Sequence, residues 1–278
     1  MNMRRLRMGL NTLLNIKKQG FFIPYRYADT LPDRKSHETY PALFQIFKSH
    51  EAAFSTFLDE MQSYAPIFSE FGKEQPPAPR WTQDWFPRLD GAAAYKMVRD
   101  CKPAQIVEVG SGHSTRFMVQ AIKDGNLPTK FTAIDPAPRA DISKLPVTLH
   151  RDIVQNCDLR IFEDLKTGDF LFVDSSHIAM PGSDVDFLFL NVLPMLPKGV
   201  IVHIHDIMLP HDYPQSWEWR GYNEQQVVAP LLCGGYDLLF SSAFTARHMQ
   251  EKVTATDLGK IHLSDGAFET SLWLKKNT

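Results

Sequence analysis

Two groups of residues have the types and spacing for chemistry. The first is Glu108-Val-Gly-Ser-Gly-His-Ser-Thr115, followed by Asp135. Gly110 and Gly112 flank Ser111 in a turn that no side chain obstructs, and Arg116 to Lys123 reads as the start of a helix. A strand, a glycine turn and a helix N-terminus form a cradle for a nucleotide-like ligand, because free N–H groups and the helix dipole meet there. The second group is Asp174-Ser-Ser-His177 together with His203-Ile-His-Asp206. Each of its halves closes a short apolar run.

The first group discriminates between ligands. A dinucleotide fingerprint has glycine or alanine at the sixth position of Gly-x-Gly-x-x-Gly. Counting from Gly110, this chain has Thr115 there. Glu108 is an acid just before the loop, where it would repel a pyrophosphate but receive the ammonium of a methionine moiety, directly or through water. S-adenosylmethionine (SAM) therefore fits better than NAD. Asp135 ends the next apolar run, where a carboxylate accepts ribose hydroxyls. The bland alternative is that Asp135 only starts the turn at Pro136.

The second group admits three uses. Asp174 and Asp206, with His205, can hold Mg²⁺ or another divalent ion that binds a hydroxyl and lowers its pKa. Alternatively, His177 or His205 is a general base without metal. In the third use, these polar groups only cap strand ends. His203 lies two residues before His205, on the same face of a strand, and reads as a hydrogen-bonded core histidine. A turn-rich aromatic stretch follows from Met208 to Gln226 and suits a substrate loop, with Arg220 or Glu224 as hydrogen-bonding groups and an aromatic clasp as the alternative.

The elements that must position these residues alternate. Strands are expected at 106–109, 131–134, 147–150, 170–173, 200–205, 236–240 and 269–274, with helices at 114–123, 157–165, 184–193 and 223–232. This rhythm predicts a doubly wound, Rossmann-like, seven-stranded, mostly parallel α/β sheet, with residues 174–177 and 203–206 at strand ends in the ligand crevice. No helix is expected between 241 and 267, so the last two strands should pair antiparallel. Residues 1–100 read as a helical N-terminal extension and 101–278 as the main domain. Apolar residues from Leu43 to Met61 recur at helical spacing, 76–79 is a proline-rich link, and Asp90 is placed to cap a helix ending near Arg99. The aromatic segment 20–27 should pack its rings or line a pocket.

On Glu108–Thr115, Ile134-Asp135 and Phe172-Val-Asp-Ser-Ser-His177, residues 85–245 resemble the class I SAM-dependent methyltransferases, most closely the branch of macrocin O-methyltransferase and the cephalosporin-cluster proteins. The resemblance implies that Glu108, Gly110, Ser111, Gly112, Ser114 and Thr115 hold the methionine part of SAM and Asp135 the ribose. Asp152 to Gln155 would reach the adenine, and Asp174 would close the cofactor site. Relatives in the branch bind a divalent metal with acids at these strand ends, supplying Glu or Asp where this chain has His205. They recruit N-terminal residues as a lid, for which Phe22, Tyr25 and Tyr27 are candidates. The expectation is methyl transfer to a hydroxyl of a small-molecule or glycan-type acceptor, with His177, His205 and Asp206 as the catalytic group. The alternatives are N-methyl transfer without metal and a non-catalytic partner protein of the same fold.

Composition narrows the remaining classes. A formal net charge of −2 gives no basic field for nucleic acid. Three cysteines with no Cys-x-x-Cys spacing argue against a zinc site or a disulfide framework, and point to the cytoplasm. No stretch approaches the ~20 apolar residues of a membrane span. The basic N-terminus (Arg4, Arg5, Arg7, Lys17, Lys18) reads first as a helix packed on its own domain and second as a peripheral membrane contact. A homo-oligomer is compatible with the composition.

Overall fold

The computed structural model describes residues 3–31 and 39–278. Short β-branched and aromatic runs become seven strands: β1 (Gln105–Val109), β2 (Lys130–Ile134), β3 (Thr148–His150), β4 (Phe170–Val173), β5 (Ile201–Ile204), β6 (Tyr236–Ser241) and β7 (Leu272–Lys276). They form one sheet in the order β3-β2-β1-β4-β5-β7-β6. Strands β1 to β5 are parallel, and β7 runs antiparallel to both β5 and β6. The order reverses between β1 and β4, so the crevice opens at their carboxyl ends. Both central strands are buried on both faces, as parallel strands covered by helices are, and Glu108 is the one acid among their buried residues.

Before the sheet come α1 (Met3–Leu13), α2 (Pro41–Ser49), α3 (Glu51–Met61), α4 (Ala65–Phe68) and α5 (Arg88–Cys101). The phenylalanines of α2 and α3 are held by aromatic packing: Phe57 stacks on Phe240 at 4.4 Å and Phe47 on Phe244 at 5.7 Å. Helix α5 packs against α6 (His113–Asp124). They approach so closely at Gly91 that a Cβ there would meet the Phe117 ring at 2.8 Å. One continuous apolar core thus runs from Phe47 to Leu274. The expected boundary near residue 100 falls in the last turn of α5 rather than at a gap.

Several local expectations fail for physical reasons. Between β6 and β7 there are two helices, α11 (Ser242–His248) and α12 (Gln250–Thr254), where none was expected. Their signal is a cap: Ser241 Oγ accepts a hydrogen bond from the Phe244 amide at 3.2 Å. The helix expected at 157–165 shrinks to α7 (Arg160–Glu163). The one at 184–193 breaks into α8 (Asp184–Phe187), a π-turn and α9 (Leu193–Met195). Pro194, which has no N–H to donate, accounts for that break. Pro230 similarly restricts the last to α10 (Gln225–Val228) and a 3₁₀ turn. Residues 20–27 do not pack: Phe21, Phe22, Tyr25 and Tyr27 are all exposed. Among the described residues, no helix is long and apolar enough to cross a membrane.

Candidate active site

The glycine turn is a close approach between two strand ends. Gly110 has φ +82°, and a Cβ there would fall 1.8 Å from the Asp174 carbonyl oxygen. Only glycine permits this, and it lets the Asp174 amide donate to the Val109 carbonyl at 2.8 Å. The Ser111 amide and hydroxyl both donate to Asp135 Oδ2, at 2.7 and 3.0 Å. Asp135 Oδ1 accepts from the Ala137 amide. A cavity of about 480 Å³ opens here, lined by Gly110, Ser111, Asp135, Val154, Gln155 and Asp174 among others. That size suits a nucleotide-like cofactor.

Five of the expected cofactor residues, Glu108, Gly112, Ser114, Thr115 and Asp152, do not line this cavity. Glu108 is fully buried and does not line the cavity; Ser114 Oγ and Thr115 Oγ1 each donate to one of its oxygens at 2.6 Å. It braces the N-terminus of α6, and its burial keeps it out of direct reach of a ligand in the cavity. Burial pushes its carboxyl up to about 8, against the two hydroxyl donors. Thr115 Oγ1 also accepts from the Gly112 amide, so the loop and the helix share one network. Asp152 is exposed and tied to Asn156 and the Ile153 amide, outside the cavity wall that Ile153 and Gln155 form.

The second group assembles as the strand ends required. Asp174 follows β4 and Asp206 follows β5, and two histidines stand between them. His177 Nε2 lies 3.3 Å from Asp174 Oδ1 and 3.4 Å from Asp206 Oδ2. His205 Nδ1 lies 3.4 Å from Asp174 Oδ1 and 3.6 Å from Asp206 Oδ1. The far nitrogen of each ring is anchored by a buried acid. His177 Nδ1 is 2.8 Å from Glu224 Oε2, and His205 Nε2 is 3.3 Å from Asp90 Oδ2. His177 Nε2 is buried and has no hydrogen bond of good geometry, although two carboxylates are near. His177 and Asp206 both adopt left-handed backbone, φ +61° and +54°, strain that non-glycine residues hold where the surroundings over-determine them.

The charges are interdependent. Burial disfavours both imidazolium forms, yet the surrounding acids raise His177 and His205 well above the ordinary histidine range. Asp206 leads for His177 and Asp174 for His205. Burial would raise Asp174, but His205 and His177 hold it well below the carboxylate range. His203 is the core histidine expected: it stacks on Phe172 at 3.7 Å, and its Nε2 is 2.8 Å from Ser271 Oγ.

A smaller cavity of about 210 Å³ adjoins the cluster, lined by Trp85, Arg139, Asp174, His205, Asp206, Trp217 and Arg220 among others. Arg139 stacks on Trp85 and Arg220 on Trp217. Asp174 lines both cavities. The loop 208–226 thus supplies Trp217 and Arg220 to the wall, but Glu224 is turned inward onto His177, away from any ligand. Phe22, Tyr25 and Tyr27 line neither cavity. Asp90 has a role that the sequence did not announce. It accepts from the Thr270 and Ser271 amides instead of capping its own helix, and the Leu89 amide near the start of α5 is met by Glu269. The one available signal was an acid set between Leu89 and the apolar run 91–94.

A seven-stranded sheet with the last strand inserted antiparallel, and a glycine turn after its first strand, defines the SAM-dependent, class I methyltransferase fold. In keeping with it, the model of a family described as "Methyltransferase domain" matches residues 107–207. Among solved structures, a SAH-bound methyltransferase from Podospora anserina, PaMTH1, is 15% identical, with 93% of this chain and 100% of that one covered and a TM-score of 0.43. An O-methyltransferase from Bacillus cereus in complex with SAH is 10% identical (80% and 91% covered, TM-score 0.43). The protein cmcI with Mg and SAM is 14% identical (77% and 84%, TM-score 0.42). No curated protein matches the sequence.

Proposed function

We propose that the chain is a SAM-dependent O-methyltransferase acting on a hydroxyl of a small-molecule or glycan-type acceptor. The observation that carries this is Asp174, which lines both the larger cavity at the glycine turn and the smaller one beside the histidines. A methyl donor in the first and an acceptor in the second meet at that residue. Gly110 and Ser111 shape the donor's floor, Asp135 keeps unshared lone pairs for ribose hydroxyls, and Ile153 to Gln155 flank the adenine. Trp85 and Trp217 offer faces to a sugar or other ring, and Arg139 and Arg220 beside them donate hydrogen bonds. Asp206, only 9% exposed at the cavity floor, is placed to take the hydroxyl proton. Transfer is then in-line, and positioning supplies most of the acceleration.

The cluster also suits a divalent ion. Among the described residues, no three such side chains already stand in a metal-holding arrangement. The donor chemistry fits nonetheless. Asp174 Oδ1 stands within 3.4 Å of both His177 Nε2 and His205 Nδ1, Asp206 turns one oxygen to each ring, the outer nitrogens are fixed by Glu224 and Asp90, and the buried His177 Nε2 lacks a hydrogen-bond partner. A bound Mg²⁺ or other divalent cation would lower the pKa of the acceptor hydroxyl.

Calorimetry with SAM tests the donor site: no binding at millimolar ligand would sink the assignment. Transfer of labelled methyl from SAM to a panel of hydroxyl and amine acceptors separates O- from N-transfer. Turnover lost in EDTA and restored by a divalent cation is the result expected for the metal. Turnover indifferent to EDTA refutes it and leaves the donor site standing.

A further inference from the structure

Residues 3–31 behave unlike the rest of the chain. None of their side chains is buried. Yet they carry Leu14, Ile16, Phe22 and Ile23, each at least 62% exposed, with Tyr25 and Tyr27 also in the open. Their charge is equally distinct. Arg4, Arg5, Arg7, Lys17, Lys18 and Arg26 against Asp29 give +5, so with −2 for the whole chain the remaining residues carry −7. Cations and rings are paired: Lys18 sits over Phe21 at 5.2 Å and Arg26 over Tyr27 at 5.6 Å. Helix α1 presents Leu6, Leu10 and Leu13 as one stripe, which faces Gln215, Glu218 and Trp219 across a groove of about 600 Å³. Trp219 is itself 53% exposed.

We propose that this segment docks the protein on an anionic lipid surface. Apolar and aromatic side chains beside a net +5 match an interface whose headgroups are negative and whose acyl boundary accepts rings. A two-fold dimer through the same face would set +5 against +5, which disfavours a second copy as occupant. The segment also adjoins the proposed acceptor site: the 3₁₀ helix Gln215–Arg220 gives Trp219 to the groove under α1, and Trp217 and Arg220 to the smaller cavity. Docking would bring the mouth of that cavity to the membrane surface.

The test is flotation of the full chain with vesicles of phosphatidylcholine alone and of phosphatidylcholine with phosphatidylglycerol. Binding is expected only to the anionic vesicles and should fade as salt rises. Lys17→Ala with Lys18→Ala, at two exposed positions, should weaken it roughly twenty-five-fold, about fivefold per cation. Phe22→Ser with Ile23→Ser should weaken it as well, with SAM binding by calorimetry unchanged in both variants as the measure of intact folding. No binding to anionic vesicles, equal binding to both compositions, or sedimentation showing self-association through these residues in place of lipid binding would each overturn the proposal. Failure here leaves the methyltransferase reading untouched, since SAM calorimetry tests that separately.

Discussion

Replacing Glu108 by glutamine should make the protein more stable at neutral pH and flatten the dependence of its stability on pH. Glu108 is fully buried, and its carboxyl is pushed up to about 8 from 4.5. An acid raised in the folded state binds a proton there that the unfolded chain releases above 4.5. Stability is therefore complete below 4.5, falls as pH rises, and stops falling above 8. The slope is about 1.4 kcal/mol per pH unit, so at pH 7 the penalty is roughly 3 kcal/mol. Glutamine carries no such penalty. Its oxygen can accept from one of the two hydroxyls, and its amide can donate to the other once that hydroxyl rotates. The assay is urea unfolding of both proteins from pH 5 to 8. Both proteins should lose stability across this window, because His177, His205 and Glu269 are also raised in the fold, but the wild type should lose it more steeply than Glu108→Gln, and the variant should lead at pH 7. A wild type whose stability is flat or rises relative to the variant would refute the reasoning, because Glu108 would then be ionised in the fold. In that event the hydroxyls of Ser114 and Thr115, not burial, set its protonation.

Other substitutions test the site from different sides. Gly110→Ala places a Cβ into the Asp174 carbonyl at positive φ and should cost several kcal/mol, read as a fall in thermal midpoint with loss of SAM binding. Unchanged SAM affinity would show that the approach of the two strand ends is not required. Asp135→Asn should lower SAM affinity at least tenfold by calorimetry with little change in turnover at saturating SAM, because a charged acceptor of ribose hydroxyls is lost. Phe244→Ala, which empties the space between Phe47, Phe54 and Phe44, should cost about 3–5 kcal/mol in urea unfolding and leave SAM affinity intact, since the site lies elsewhere in the sheet.

The sequence alone determined the sheet. Each strand fell within a few residues of its expected place, because short β-branched and aromatic runs separated by Gly, Pro and Asp turns have few other uses. Gly110, Ser111, Asp135, Asp174 and Asp206 are local signals at strand ends, so the α/β rhythm brought them to one crevice without knowledge of any contact. The sequence could not tell which charges face one another. Asp90 lies 115 residues from His205, and Glu224 lies 47 from His177. No periodicity links such pairs; packing of α5 and of the 208–226 loop against the sheet joins them. The same holds for Glu108: its place before the glycine turn is written in the chain, but its burial beneath Ser114 and Thr115 is not. Side-chain spacing within one element follows from backbone geometry and can be read from the chain. Partners supplied by different elements depend on how those elements close over the sheet, and only the tertiary structure decided them.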